Sequence, residues 1–362
     1  MRHCIFIGLV ISALLSISGC SLQINQDLSP TQTVSQSANG ENIPVTWGSL
    51  NLTGRLIYNV ASFSGGNNKG GLAIDVTMLD LATGKVTTLF ETPVGGWINS
   101  MAVSPDLHNL IISYAPPSDP PVGNREALYS LPLDHSTPPQ LLFTPPTDKD
   151  QYYQPAWSPD GKYLYFTHAN YQASTTYEVM RLAYPNGKME QVVNHASWPR
   201  LSKDASQLVY VSTESANGPN RLFIANADGT EARSVSLLGS NWMNSIIDAP
   251  LFLPDGQTIL FSGPIPPQGF APNWVDQLIG VTVAYAHGSI PSDWWSVPLT
   301  GGAPARLTHI YSPGLYANLS PDLRYIASYS ATGIFVMNLQ GRDLTQIVNY
   351  TGGIPGTVSW IP

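Results

Sequence analysis

The residues best equipped for acid–base or metal chemistry recur at matching places. Asp106, Asp160, Asp204, Asp255 and Asp322 each sit two residues after Ser104, Ser158, Ser202, Leu253 or Ser320, and each ends a Ser-Pro-Asp-like tripeptide or its variant. A carboxylate pair that breaks a glycosidic bond needs its two groups about 5–9.5 Å apart. Residues repeated once per structural unit are instead spread around the molecule. Proline presets the backbone for a turn, and aspartate caps the amides that follow, so these side chains are expected to close turns rather than to transfer protons. The seven histidines, at 3, 108, 135, 168, 195, 287 and 309, form no i,i+4 pair. The nucleophile elbow G-x-S-x-G, H-E-x-x-H, the phosphate-binding P-loop, the EF-hand loop and C-x-x-C are all missing, so the sequence offers no positive sign of a metal or other cofactor.

The elements that must hold these aspartates come from an internal repeat. An apolar strand, a turn and a second apolar strand recur in NSMAVSPDLHNLIISY (99–114), QPAWSPDGKYLYFTH (154–168), WPRLSKDASQLVYVS (198–212), APLFLPDGQTILFSG (249–263) and YANLSPDLRYIASYS (316–330). A degenerate first copy is NLTGRLIYNVAS (51–62). A second strand pair follows in each unit, as in NRLFIANADGTEARSVSL (220–237). The five turn positions are 54, 44, 51 and 67 residues apart, which fits four short strands per unit. With 31 Gly and 31 Pro in 362 residues, the composition also favours short strands and many turns.

The pattern W-S-P-D-G-K-x-x-x-F, followed by I/L-F/Y-x-x-N/D-x-x-G, resembles the WD-repeat-like units of TolB-type propellers, and Trp157 to Phe166 match it almost completely. The resemblance spans roughly residues 45–362 and implies an all-β, six-bladed β-propeller. The tail Gly356-Thr357-Val358-Ser359-Trp360-Ile361-Pro362 reads as the opening strand of a further repeat, and is expected to supply the innermost strand of blade one and close the ring. TolB-type proteins carry an α/β domain before the propeller and are soluble in the periplasm. This sequence departs on both points, which argues against TolB itself.

Both cysteines, Cys4 and Cys20, precede the repeats, so the propeller is expected to be free of disulfides. Met1-Arg2-His3, the apolar run Ile5–Leu15 and then Ile17-Ser18-Gly19-Cys20 resemble a bacterial lipoprotein signal with its lipobox. That resemblance implies cleavage before Cys20, lipidation of Cys20 and anchoring on the extracytoplasmic side of a membrane. The expected division is a signal peptide at 1–19, a lipidated cysteine and flexible tether at 20–44, and the propeller at 45–362.

A formal net charge of −8, with no Lys/Arg run, removes the electrostatic footprint of nucleic-acid binding. With strands lettered A to D from the axis outward, A–B and C–D turns are short, whereas B–C connections are longer; the longest is an insertion in blade five, Pro264–Ser292, which includes His287 and a candidate helix starting at Asn273. Length and variety on one face of a rigid scaffold suggest the binding face. The beginnings of the A strands fall on that face, with Asn99, Tyr153, Gln154, Trp198, Asp248 and Tyr316 as candidate ligand-binding residues. Rings with a few polar groups suit a sugar or peptide, and the same residues could also plug the channel mouth. The reading is a lipid-anchored binding or scaffold protein for a protein, peptide or glycan of the envelope, with no catalytic residues assigned. Two alternatives stand beside it: an extracellular propeller enzyme acting on glycans or small molecules, and an accessory part of a TolB-like envelope complex.

Overall fold

The computed structural model describes residues 43–64, 71–118, 125–172, 175–213, 220–239, 247–265, 291–312, 314–349 and 356–362. The signal sequence, Cys20, the tether and most of the blade-five insertion, including Asn273 and His287, lie outside them.

Every strand among the described residues belongs to one of six four-stranded antiparallel sheets. Blade one contains β1 (Arg55–Ser64), β2 (Gly71–Asp80) and β3 (Val86–Phe90). Blade two is β4 (Trp97–Val103), β5 (Asn109–Ala115), β6 (Ala127–Pro132) and β7 (Gln140–Leu141). Blade three is β8 (Asp150–Trp157), β9 (Tyr163–Asn170), β10 (Thr176–Ala183) and β11 (Met189–Asn194). Blade four is β12 (Ala196–Leu201), β13 (Gln207–Thr213), β14 (Asn220–Asn226) and β15 (Arg233–Ser234). Blade five is β16 (Asp248–Phe252), β17 (Thr258–Pro264), β18 (Ser292–Pro298) and β19 (Ala305–Arg306). Blade six is β20 (Tyr316–Leu319), β21 (Tyr325–Ser330), β22 (Gly333–Asn338) and β23 (Thr345–Asn349). The last strand, β24 (Val358–Ile361), returns to blade one and pairs with β1, Arg55 opposite Ile361 and Tyr58 opposite Val358. The tail is thus strand A of blade one. This also explains why the first copy of the repeat looks degenerate: it lacks its own A strand and the Ser-Pro-Asp turn that would follow.

Each B strand is packed on both faces between neighbouring blades. Its centre therefore reads as a continuous apolar run rather than an alternation. Leu110, Ile111 and Ile112, then Leu164, Tyr165 and Phe166, then Ile259, Leu260 and Phe261 are all essentially inaccessible. Burying each such side chain contributes about 1.5–3 kcal/mol.

Polar side chains placed in this apolar layer tie one blade to the next. Asn59 on β1 is buried; its Oδ1 accepts from the Thr357 amide (2.7 Å) and its Nδ2 donates to the Ile98 carbonyl of blade two (3.1 Å). Thr357 Oγ1 in turn accepts from the Met101 amide at 3.1 Å. Ser113 of blade two donates to the Tyr152 carbonyl of blade three at 2.6 Å. Ring closure is thereby hydrogen-bonded as well as packed.

Candidate functional site

The lower face carries the A–B turns, and they share one hydrogen-bond scheme. In blade three, Ser158 Oγ donates to Asp160 Oδ1 (2.7 Å) and accepts from the Tyr163 amide (2.9 Å), while Asp160 Oδ1 also accepts from the Lys162 amide (3.1 Å). Ser104–Asp106, Ser202–Asp204 and Ser320–Asp322 repeat it at 2.5, 2.6 and 2.6 Å. Leu253 has no hydroxyl to give, and Asp255 compensates by accepting from the Gln257 and Thr258 amides and from the Thr258 hydroxyl. Hydrogen bonds from serine and from the following amide hold Asp160 and Asp204 at about 2. These carboxylates are turn caps, ionised and fully engaged.

The upper face is made by the B–C and D–A connections. The inner strands of blades two to five are bulged. Pairing slips by one residue between Ile98 and Ser100, Tyr153 and Ala156, Ser197 and Arg200, and Asp248 and Leu251. At three of these bulges a non-glycine residue takes the left-handed backbone: Gln154 (φ 53°), Trp198 (φ 59°) and Ala249 (φ 48°). A bulge re-aims side chains, and here it sends them across blades. The Gln154 amide N–H donates to Ser100 Oγ of blade two (2.7 Å), and Gln154 Oε1 accepts from the Trp198 amide of blade four (3.0 Å) and from Thr167 Oγ1 (2.6 Å).

Of the six candidate residues, the structure joins Trp198 with Tyr316 and links Gln154 to the Trp198 backbone. The Trp198 and Tyr316 rings lie 6.2 Å apart. They belong to blades four and six, which are not neighbours, so the contact crosses the central axis. Tyr316 is buried, and Trp198 packs against two separate hydrophobic clusters. The two rings thus meet inside the ring of blades. Asn99 lies in the blade-two bulge, half-buried, and Asp248 opens β16 opposite Ser262. Tyr153 stands apart, at the junction of blades two and three: its hydroxyl bonds Gln151 and lies 3.2 Å from the Tyr171 hydroxyl.

That junction holds two buried carboxylates that the repeat pattern does not announce. Asp150 is almost inaccessible; it accepts from the Thr147 amide and hydroxyl (both 2.7 Å), from Asn170 Nδ2 (2.6 Å), and contacts His168 Nε2 (2.7 Å). Burial opposes ionisation, but these bonds prevail and hold the carboxyl at about 2. The other side of the His168 ring faces Glu178, with Nδ1 3.5 Å from Oε2. The imidazole therefore stands between two carboxylates as a bridge, whereas a metal site needs its ligands to converge. Glu126, just before β6, is 1% exposed, and its Oε2 has no hydrogen-bond partner among the described residues. Burial pushes its pKa up to about 7, with a hydrogen bond to Tyr153 offsetting part of the rise. On the other side of the ring, Asp293 is fully buried and satisfied by Arg306, by Thr308 Oγ1 (3.0 Å) and by the Ile310 amide (2.6 Å).

Two cavities complete the geometry. One, of 480 Å³, opens on the upper face of blade two between its B–C connection (Pro116, Pro117, Arg125) and the connection to blade three (Thr144–Asp150), with Tyr129 and the exposed Leu141 in its wall. The other, of 360 Å³, lies at the lower mouth of the channel and is lined by Trp157, Arg200, Tyr316, Asn318 and Trp360 among others. Neither was legible in the sequence, because each is made by residues from separate repeats or connections.

No family model and no curated protein sequence matches the chain. Among solved structures, it superposes on TolB from Acinetobacter baumannii with a TM-score of 0.58 at 15% identity, covering 84% of this chain and 66% of that one. It superposes on a putative TolB from Agrobacterium tumefaciens with a TM-score of 0.56 at 15% identity, covering 86% and 99%. The chain thus spans about two thirds of the length of the first and nearly all of the second. At this identity the likeness shows a shared fold: the chain is a six-bladed β-propeller, the fold of these TolB structures.

Proposed function

We propose that the protein is an extracytoplasmic, lipid-anchored binding scaffold whose upper face takes up a partner of the cell envelope, with a polypeptide favoured over a glycan. The observation that carries this reading is the 480 Å³ groove on the upper face of blade two. Its walls combine prolines (116, 117, 145, 146), Tyr129 and the exposed Leu141 with one ion pair, Arg125–Asp148 at 3.7 Å. Largely apolar, conformationally rigid walls, with the Arg125–Asp148 pair at the rim and the buried Asp150 behind them, resemble the core-and-rim pattern of protein interfaces. A sugar site would call for more convergent hydrogen-bonding groups. The contact extends inward to the channel mouth, where Asn99, Gln154, Trp198, Asp248 and Tyr316 lie. The TolB-like architecture supports a protein partner in general terms, as a rigid ring with variable connections on one face.

Leu141→Glu puts a charge into the groove from an already exposed position, so the fold should tolerate it. Capture of the partner from envelope extract by the folded domain should drop at least tenfold while the melting temperature stays within a degree or two. Undiminished capture would move the site off this groove. Anchoring rests on the lipobox-like Ile17-Ser18-Gly19-Cys20. Cys20→Ala should abolish incorporation of a labelled fatty acid and release the protein from membranes, and equal labelling of mutant and wild type would remove the anchor.

A further inference from the structure

We propose a second binding site, independent of the upper-face reading, at the opposite mouth of the channel: the cavity around Arg200 binds a carboxylate. Arg200 lies on β12, just beyond the Trp198 bulge, and points into the lower channel. Its Nη1 donates to the Pro155 carbonyl at 3.3 Å, and its guanidinium sits 4.8 Å from the centre of the Tyr316 ring. No carboxylate pairs with it among the described residues. Asp106 and Asp322, in turns whose other residues line the cavity, are occupied by Ser104 and Ser320. A guanidinium carries five N–H donors, and one weak bond to a carbonyl leaves most of them unused.

An arginine of this kind is costly to keep without an anion. Arg200 is half-buried, and protein surrounds the guanidinium closely enough to bring its pKa down to about 10. It remains a cation at neutral pH, so the charge is a permanent feature of the channel. Around it the rings of Trp157, Trp360 and Tyr316 form walls, the Asn318 amide supplies a polar group, and Pro362 at the edge is engaged by Arg55, whose Nε and Nη2 donate to its O at 3.1 and 2.9 Å. Arg200 is the one charged side chain of this lining, and a single free guanidinium matches a singly charged anion, whereas a phosphate dianion would leave charge uncompensated. The planar fork of arginine matches the two oxygens of a carboxylate. A volume of 360 Å³ admits a small organic acid or one acidic side chain of a polypeptide. The A–B turn residues Ser104, Pro105, Leu107 and Pro321 form its rim, so the ligand enters from the lower face.

The test is calorimetric titration of the full chain at neutral pH and low salt, with N-acetylglutamate as the free acid and a terminally blocked peptide containing one glutamate as the polypeptide source. At least one probe should bind saturably to wild type. Arg200→Gln should weaken that binding tenfold or more, Arg200→Lys less, and Arg324→Gln, at an exposed arginine beside the same mouth, should change it less than twofold. Tighter binding of the peptide identifies a partner's side chain as the source, and tighter binding of N-acetylglutamate a free acid. Should Arg200→Gln fail to fold, Asn318→Leu retains the cation while removing the amide, and should weaken binding severalfold. Absence of saturable binding by both probes in wild type, or full binding in Arg200→Gln, would overturn the proposal.

Discussion

The lower and upper faces treat carboxylates in opposite ways. On the lower face one arrangement is used repeatedly: a short turn, an aspartate capping the next amide and, in four of the five blades that have the turn, a serine bridging the two. On the upper face each carboxylate is individual. Asp150 gathers Thr147, Asn170 and His168 around itself, Asp293 takes Arg306, Thr308 and the Ile310 amide, and Glu126 leaves one oxygen bare. Repetition marks the part of the molecule that makes the fold. Departures from it, at bulges and in long connections, mark where the molecule holds groups that folding does not require in that form. Glu126 is the sharpest departure, since a buried polar atom without a partner among the described residues carries a desolvation cost of about 1–3 kcal/mol.

Titration separates the two kinds of buried carboxylate and should give the largest effect. Glu126 titrates at about 7 in the folded state against 4.5 as a free side chain. The folded protein therefore holds a proton that the unfolded chain releases between these values. Its contribution to stability is fully present below about 4.5 and is lost as pH rises through 7, on the order of 3 kcal/mol across the window. Asp150 behaves in the opposite sense. Its folded value of about 2 lies below the ordinary 3.8, so its contribution is present above 3.8 and lost as pH falls toward 2. Glu126→Gln should flatten the decline in melting temperature between pH 4.5 and 7 and leave the acid limb alone. Asp150→Asn should lower stability at neutral pH and reduce its further loss in acid. If the two variants shift the same limb, the contrast between the carboxylates is wrong.

The sequence carried the ring and its closure because both rest on local signals. Turn residues at matching positions and apolar B-strand runs identified the repeats, and Trp360 in the tail echoes Trp157 before its turn. The upper face was less legible. A bulge depends on the partner strand, so nothing in QPAW or SWPR reveals that Gln154 and Trp198 adopt positive φ and reach into neighbouring blades. Placing Trp198 and Tyr316 in contact requires knowing that blades four and six meet across the axis. Arg200 was passed over because one arginine in an apolar strand has no local signature; its significance comes from the groups missing around it. Glu126, next to Arg125 at the end of a long connection, looks in the sequence like a surface charge.

The smallest effect tests the repetition itself. The residue after each turn aspartate adopts the left-handed conformation: Leu107 (φ 61°), Gly161 (φ 71°), Ala205 (φ 60°), Gly256 (φ 62°) and Leu323 (φ 60°). Blades three and five use glycine there, and the other three carry the strain of a side chain. A Cβ on Gly161 would meet nothing closer than Pro105 at 3.9 Å, and one on Gly256 would meet nothing within 4 Å. Substitution at either site is thus free of collision, and the backbone preference acts alone. The left-handed conformation costs a non-glycine residue about 1–2 kcal/mol, and the smaller entropy of the unfolded alanine chain returns about 0.4–1 kcal/mol. Gly161→Ala and Gly256→Ala should therefore each cost about 0.5–1 kcal/mol, and Ala205→Gly should gain a similar amount, all read as shifts in urea midpoint with unchanged slope. Equal and opposite shifts would establish that the five turns are energetically equivalent as well as similar in shape. A loss well above 2 kcal/mol at Gly161 alone would show that blade three, the copy closest to the repeat consensus, depends on its glycine for more than backbone freedom.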